Sequence, residues 1–115
     1  MAVLRTQLRV ILDAIASRDW NALLVGGYLV DASPRACAGL DEVVAAFDIT
    51  LSPVDDGAIE TAIADSWPPR PSSSFWRIFV PLGPRASVAS EMEATVYVHR
   101  VGDRISCRLF DIDVP

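Results

Sequence analysis

The sequence predicts an α+β fold: N-terminal helices packed on one face of a C-terminal antiparallel β-meander of about three strands. Three observations carry this prediction. Near the N-terminus Leu4, Leu8, Ile11, Leu12 and Ile15 recur at helical spacing, opposite Arg5, Arg9 and Asp13. From Glu91 to Arg100 the period falls to two, with Met92, Ala94, Val96 and Val98 alternating with Glu91, Glu93, Thr95, Tyr97 and His99. Between them, Pro68-Pro69-Arg70-Pro71-Ser72-Ser73-Ser74 can sustain neither a helix nor a central strand. The 115 residues are one domain's length. That domain divides into a helical part over 1–67, the proline-rich connection 68–74 and the meander 75–115.

Taken in order, the first helix spans roughly residues 2 to 16. Asp19-Trp20-Asn21-Ala22-Leu23-Leu24 reads as a short second helix, with Trp20 packing back on the first and Gly26-Gly27 as its stop. Tyr28-Leu29-Val30 fits a short extended piece. Ser33-Pro34 has the chemistry of a helix start, but Gly39 interrupts it, so the third helix is expected over roughly residues 41 to 48, with Val43, Val44 and Phe47 on one face. Asp55 or Asp56 caps a further helix that turns Ile59, Ala62 and Ile63 inward and ends near Trp67.

The meander opens at Phe75 to Leu82, with Trp76, Ile78 and Val80 on one side and Arg77 and Phe79 on the other. Pro81 places that strand at an edge or ends it, because proline has no N–H for the ladder. Gly83-Pro84-Arg85 is a turn, and Gly102-Asp103 supplies the central pair of a tight hairpin. That hairpin sets Val98 against Cys107, Val96 against Leu109, Tyr97 against Arg108 and His99 against Ser106. Beyond Leu109 the alternation slips, because Ile105, Cys107 and Leu109 are odd-numbered while Phe110, Ile112 and Val114 are even. One β-bulge near Leu109 and Phe110 repairs the phase and turns Asp111 and Asp113 outward, close to Thr95 and Glu93.

In that register Glu91, Glu93, Asp111 and Asp113 share one side of the sheet with Tyr97, His99 and Arg108, which makes these seven the candidate binding residues. A hard cation needs carboxylates that converge, whereas alternate strand positions stand about 6.5 to 7 Å apart on an open face. General acid/base work needs one carboxyl held protonated by desolvation, which an exposed sheet does not provide. The remaining readings are a charged, solvated face that resists edge pairing and a patch for a cationic protein. His99 is the only histidine and no nucleophile elbow accompanies it, so no catalytic residue, metal or cofactor is assigned. Trp20, Trp67 and Trp76 read as core anchors, and Cys37 and Cys107 as buried free thiols, with a bridge between them expected only in an exported protein.

The net charge of −5 is concentrated in residues 31–66, where eight acids stand against Arg35 alone. Nucleic acid is therefore not expected as a partner, since binding it depends on cationic groups that displace phosphate counterions. All ten basic residues are arginine, a bias we attribute to codon composition. Arg5 and Arg9 break up any leader-like apolar run and no apolar stretch is long enough to span a bilayer, so the expected location is cytoplasmic, away from the membrane.

Trp76-Arg77-Ile78-Phe79-Val80-Pro81-Leu82, Ser90-Glu91-Met92 and the closing Asp111-Ile112-Asp113-Val114 resemble a group of small uncharacterised bacterial α+β domains. The resemblance implies an N-terminal helix followed by strands and brings no activity with it. Asp19-Trp20-Asn21-Ala22-Leu23-Leu24 and Gly39-Leu40-Asp41-Glu42-Val43-Val44-Ala45-Ala46-Phe47 resemble the cone-shaped NTF2-like and cystatin-like folds. That likeness implies a curved sheet around a pocket for a small apolar ligand, or an acid/base carboxylate acting with His99, although the chain has fewer strands than the larger cones. Together these readings lead to the expectation of a small non-enzymatic protein-binding module with an acidic surface, such as an immunity-type inhibitor of a cationic partner. The cone-fold domain is the alternative.

Overall fold

A sixteen-residue apolar stripe needs something to cover it, and the stripe of α1 (Ala2–Ser17) lies against the sheet. Leu4, Leu8, Ile11, Leu12 and Ile15 are all buried there. The structure is a computed structural model that describes residues 2–46, 51–66, 70, 72–83 and 92–113. After α1 come α2 (Trp20–Gly26), α3 (Pro34–Ala45) and α4 (Asp56–Asp65), then strands β1 (Phe75–Pro81), β2 (Glu93–Val101) and β3 (Arg104–Asp113). The sheet is antiparallel in the order β1-β2-β3, with α4 against β1 and both α1 and α3 against β3. This is the α+β arrangement that the sequence predicts.

Local chemistry sets the ends of the helices. Asp19 caps α2 by accepting from the Ala22 N–H, and Gly27 closes it in the left-handed region at φ 76°, where a side chain would be strained. Ser33 caps α3 by accepting from the Ala36 N–H at 3.1 Å, with Pro34 in the first helical position. Here the expectation is corrected: α3 starts at Pro34 and runs through Gly39 without a break. A lone glycine costs a helix about 1 kcal/mol relative to alanine, and here the Ser33 cap and the burial of Leu40 and Val44 outweigh it. Residues 47 and 48, the expected end of that helix, lie outside the described residues, as does Trp67 beyond α4. Asp55 caps α4, and Ile59, Ala62 and Ile63 face inward as predicted.

The three arginines of the first eighteen residues tie the helices together. Arg5 pairs with Glu60, and Arg9 reaches the Val54 carbonyl and Asp56, so α1 is joined to α4 and its approach. Arg18 and the Trp20 indole N–H both donate to Asp41 of α3, at 2.8 and 2.7 Å. These contacts hold Asp41 below the usual carboxylate range, the Arg18 bond most of all.

Within the sheet Trp76, Ile78 and Val80 of β1, Val96 and Val98 of β2 and Cys107, Leu109 and Ile112 of β3 turn toward the helices and are buried. Both cysteines are free, and burial pushes the Cys107 thiol up to about 12. The β2–β3 register matches the prediction pair for pair, from Val101 opposite Arg104 to Val96 opposite Leu109, then shifts so that Thr95 meets Asp111 and Glu93 meets Asp113. Gly102 takes φ 60° in the connecting turn, where a left-handed residue is needed. Phe110 is the extra residue of the bulge. It does not follow even-numbered Ile112 inward but stands half exposed on the other face.

The outer edge of β3 is occupied. The Gln7 side chain accepts from the Cys107 N–H and donates to the Ile105 carbonyl, each at 2.7 Å. Tyr28-Leu29-Val30 is extended as expected and runs parallel beside Leu109, exchanging hydrogen bonds of 2.7 and 3.0 Å with it. Among the described residues no helix is long and apolar enough to cross a membrane.

A candidate binding face on the sheet

The described helices lie on one side of the sheet or around its edge, so none of them covers the opposite side, and the pairing lays its side chains out in rows. Phe75, His99 and Ser106 form the first row, and Arg77, Tyr97 and Arg108 the second. Phe79, Thr95 and Asp111 form the third, with Phe110 bulging beside it, and Pro81, Glu93 and Asp113 the fourth. Successive rows are two residues apart, about 6.6 Å along the strands.

Aromatic rings occupy the middle of this face. The Tyr97 ring is stacked on Phe110 with centroids 4.6 Å apart and planes 9° from parallel, and it meets the edge of Phe75 at 5.1 Å. Phe75 also lies 5.3 Å from the His99 ring. The Arg77 guanidinium sits 6.0 Å from the Tyr97 centroid, within cation–π range. Even so, Phe75, Phe79 and Phe110 remain 41%, 44% and 51% exposed, so three large apolar side chains share an uncovered surface. Val30, Phe75, Tyr97, His99, Ser106 and Arg108 line a shallow groove of about 120 Å³ across its upper end.

The acidic end is the fourth row. Glu93 and Asp113 stand directly opposite each other, a like-charge pair. Partial burial raises the Glu93 carboxyl above its ordinary value, and the charge of Asp113 raises it further. Asp111 lies one row away and accepts from the Ile112 backbone N–H at 2.9 Å. Among the described residues no ion pair is formed by Glu93, Asp111, Asp113, Arg77 or Arg108, whereas Arg5, Arg9 and Arg18 on the helical side are all paired.

Glu93, Tyr97, His99, Arg108, Asp111 and Asp113 thus share the face the sequence assigns to them, while Glu91 lies outside the described residues. They do not form one cluster. His99 is six residues from Glu93 on the same strand, about 20 Å, too far for the two to share a proton. Among the described residues no three His, Cys, Asp or Glu side chains gather closely enough to hold a metal ion. Sequence reasoning missed the aromatic centre. The alternation of Phe75, Arg77 and Phe79 was there to find it, but only the β1–β2 register brings those residues beside Tyr97. No known protein family, curated protein or solved structure matches this chain.

Proposed function

We propose that this chain is a small non-enzymatic protein-binding module and that the open face of its sheet is the binding surface. The partner presents a cationic side chain to Glu93, Asp111 and Asp113 and apolar side chains to Phe79, Tyr97 and Phe110. One observation carries the reading: three half-exposed phenylalanines and five charges that form no ion pair among the described residues lie together on the side of the sheet the described helices leave bare. Aromatic residues and arginine are the types enriched where proteins meet, and an exposed patch of this kind marks an interaction site. An immunity-type inhibitor that engages a cationic protein is a module of this class.

Stacking rings beside arginines also suit single-stranded nucleic acid. Three carboxylates on the same face and a net charge of −5 oppose phosphate, so a protein partner fits better. The cone-fold alternative requires space between the sheet and its cover. Trp76, Ile78, Val80, Val96, Val98 and Leu109 pack into the core on that side, and this supports the first reading.

Photo-crosslinking tests the proposal. A photoreactive phenylalanine analogue at Phe79, compared with one at Val25 on the exposed side of α2, should trap a protein from the native host only at position 79. Equal yields at the two positions, or no adduct at either, would remove the sheet face as a binding surface.

A further inference from the structure

We propose that, in the isolated protein, the open sheet face closes on a second copy of this chain as a two-fold symmetric dimer. The inference rests on the reading of that face as a protein-binding surface and names one partner for it. Its basis is the order of charges along the strands. The cationic row Arg77–Tyr97–Arg108 and the acidic row Pro81–Glu93–Asp113 lie equally far on either side of the row Phe79–Thr95–Asp111.

When two such faces are opposed about a two-fold axis that lies in the interface and runs across the strands at the Phe79–Thr95–Asp111 row, each end of the face exchanges with the other. Arg108 then meets Asp113 of the other copy, and the Tyr97 hydroxyl meets the other Glu93. On the axis Phe79 packs near its own counterpart and Asp111 faces the other Asp111, a like-charge contact with an Arg108 one row away on either side, where sheets stack about 10 Å apart. The Arg108–Asp113 and Tyr97–Glu93 contacts lie off the axis and each occur twice, so the two ends of the face complement each other.

The isolated chain is poised for this. Among the described residues Arg108, Asp113, Glu93 and Arg77 have no ion-pair partner, although Arg5, Arg9 and Arg18 all do. Glu93 and Asp113 repel each other, and a guanidinium from another copy would relieve that strain. The edge of β3 is taken by Gln7 and Tyr28–Val30, so pairing edge to edge is blocked on that side. Three strands about 4.8 Å apart and roughly seven residues long give a face of about 14 by 23 Å. Two such faces cover roughly 640 Å² in total, below the roughly 1,200 Å² at which stable interfaces begin, so the dimer is weak and reversible.

Sedimentation velocity on the full chain, from about 1 to about 500 µM, should show the sedimentation coefficient rising with concentration toward that of a dimer. Arg108→Asp and Asp113→Arg should each weaken association by about tenfold or more, and the double variant carrying both should recover it, because the exchanged charges meet again across the axis. Circular dichroism and urea unfolding establish that each variant is folded. A monomer at every concentration overturns the inference, as does a dimer insensitive to both single changes. If the chain stays monomeric while the probe at Phe79 captures a different protein, the dimer falls and the binding face stands. If it is monomeric and nothing is captured, both fall.

Discussion

The Cys107 N–H and the Ile105 carbonyl point out of the sheet along β3, where a fourth strand would bond them, and the Gln7 amide satisfies both. Gln7→Leu keeps the helical residue but leaves two part-buried backbone groups without their partner, which costs about 1–3 kcal/mol. Urea unfolding should therefore show a lower midpoint, and an unchanged midpoint would mean that water replaces the amide at no cost. Two carboxylates have opposite pH signatures. The Glu93 carboxyl is raised above its ordinary 4.5, so its neutral form suits the fold; the stability it contributes is complete below that value and is lost as pH rises through the folded one. Asp41 is lowered from 3.8 by Arg18 and then Trp20, so its contribution is present above that value and disappears as pH falls through the folded one. Glu93→Gln should raise the urea midpoint near pH 7 and leave it unchanged near pH 2. Asp41→Asn should lower it near pH 7, by an amount that shrinks toward pH 2.

At the scale of elements, what was legible depended on whether the deciding signal was local. The helical period of α1, the short second helix with its Gly26-Gly27 stop and the Gly102-Asp103 turn each lie within a few residues, and the structure places them as read. The turn fixes the β2–β3 register, and the phase slip beyond Leu109 betrays the bulge. The β1–β2 register had no such signal, because β1 ends at Pro81 and β2 begins only at Glu93, too far along the chain for a two-residue turn to set the pairing, so Phe75 and Phe79 could not be placed beside Tyr97. The direction of Phe110 was illegible for a related reason: a bulge residue obeys neither phase of the alternation. Gly39 misled because a glycine weakens a helix without marking where it ends. A Cβ built at Gly39 meets no other heavy atom within 4 Å, so alanine fits there without strain. Gly39→Ala should accordingly stabilise the protein by about 0.5–1 kcal/mol, read as a higher urea midpoint with an unchanged slope. A loss of stability would show that α3 needs the freedom of glycine at its centre.

The whole molecule has two unlike apolar surfaces, and the difference between them separates folding from binding. On the helical side Leu8 is fully buried on α1, the helix that touches α2, α4 and β3, so removing its branched end leaves a void that three elements would have to fill. Leu8→Ala should cost about 2–5 kcal/mol, a large share of the roughly 5–15 kcal/mol that holds a domain of this size together. On the open side Phe79 keeps 44% of its surface exposed, so its truncation removes only part of the burial of a core side chain and leaves no enclosed void. Phe79→Ser should change stability by no more than about 1 kcal/mol when unfolding is followed near 1 µM, where association contributes nothing. Yet the same change should sharply reduce capture of any protein by a photoreactive group placed at the neighbouring Phe110. If Phe79→Ser proved as destabilising as Leu8→Ala, the outer aromatics would be a second core that the fold requires. If it proved neutral in both measurements, the rings would serve neither folding nor recognition. Only a neutral effect on stability joined to a loss of capture fits a sheet built to be covered on one side by its own helices and on the other by a different molecule.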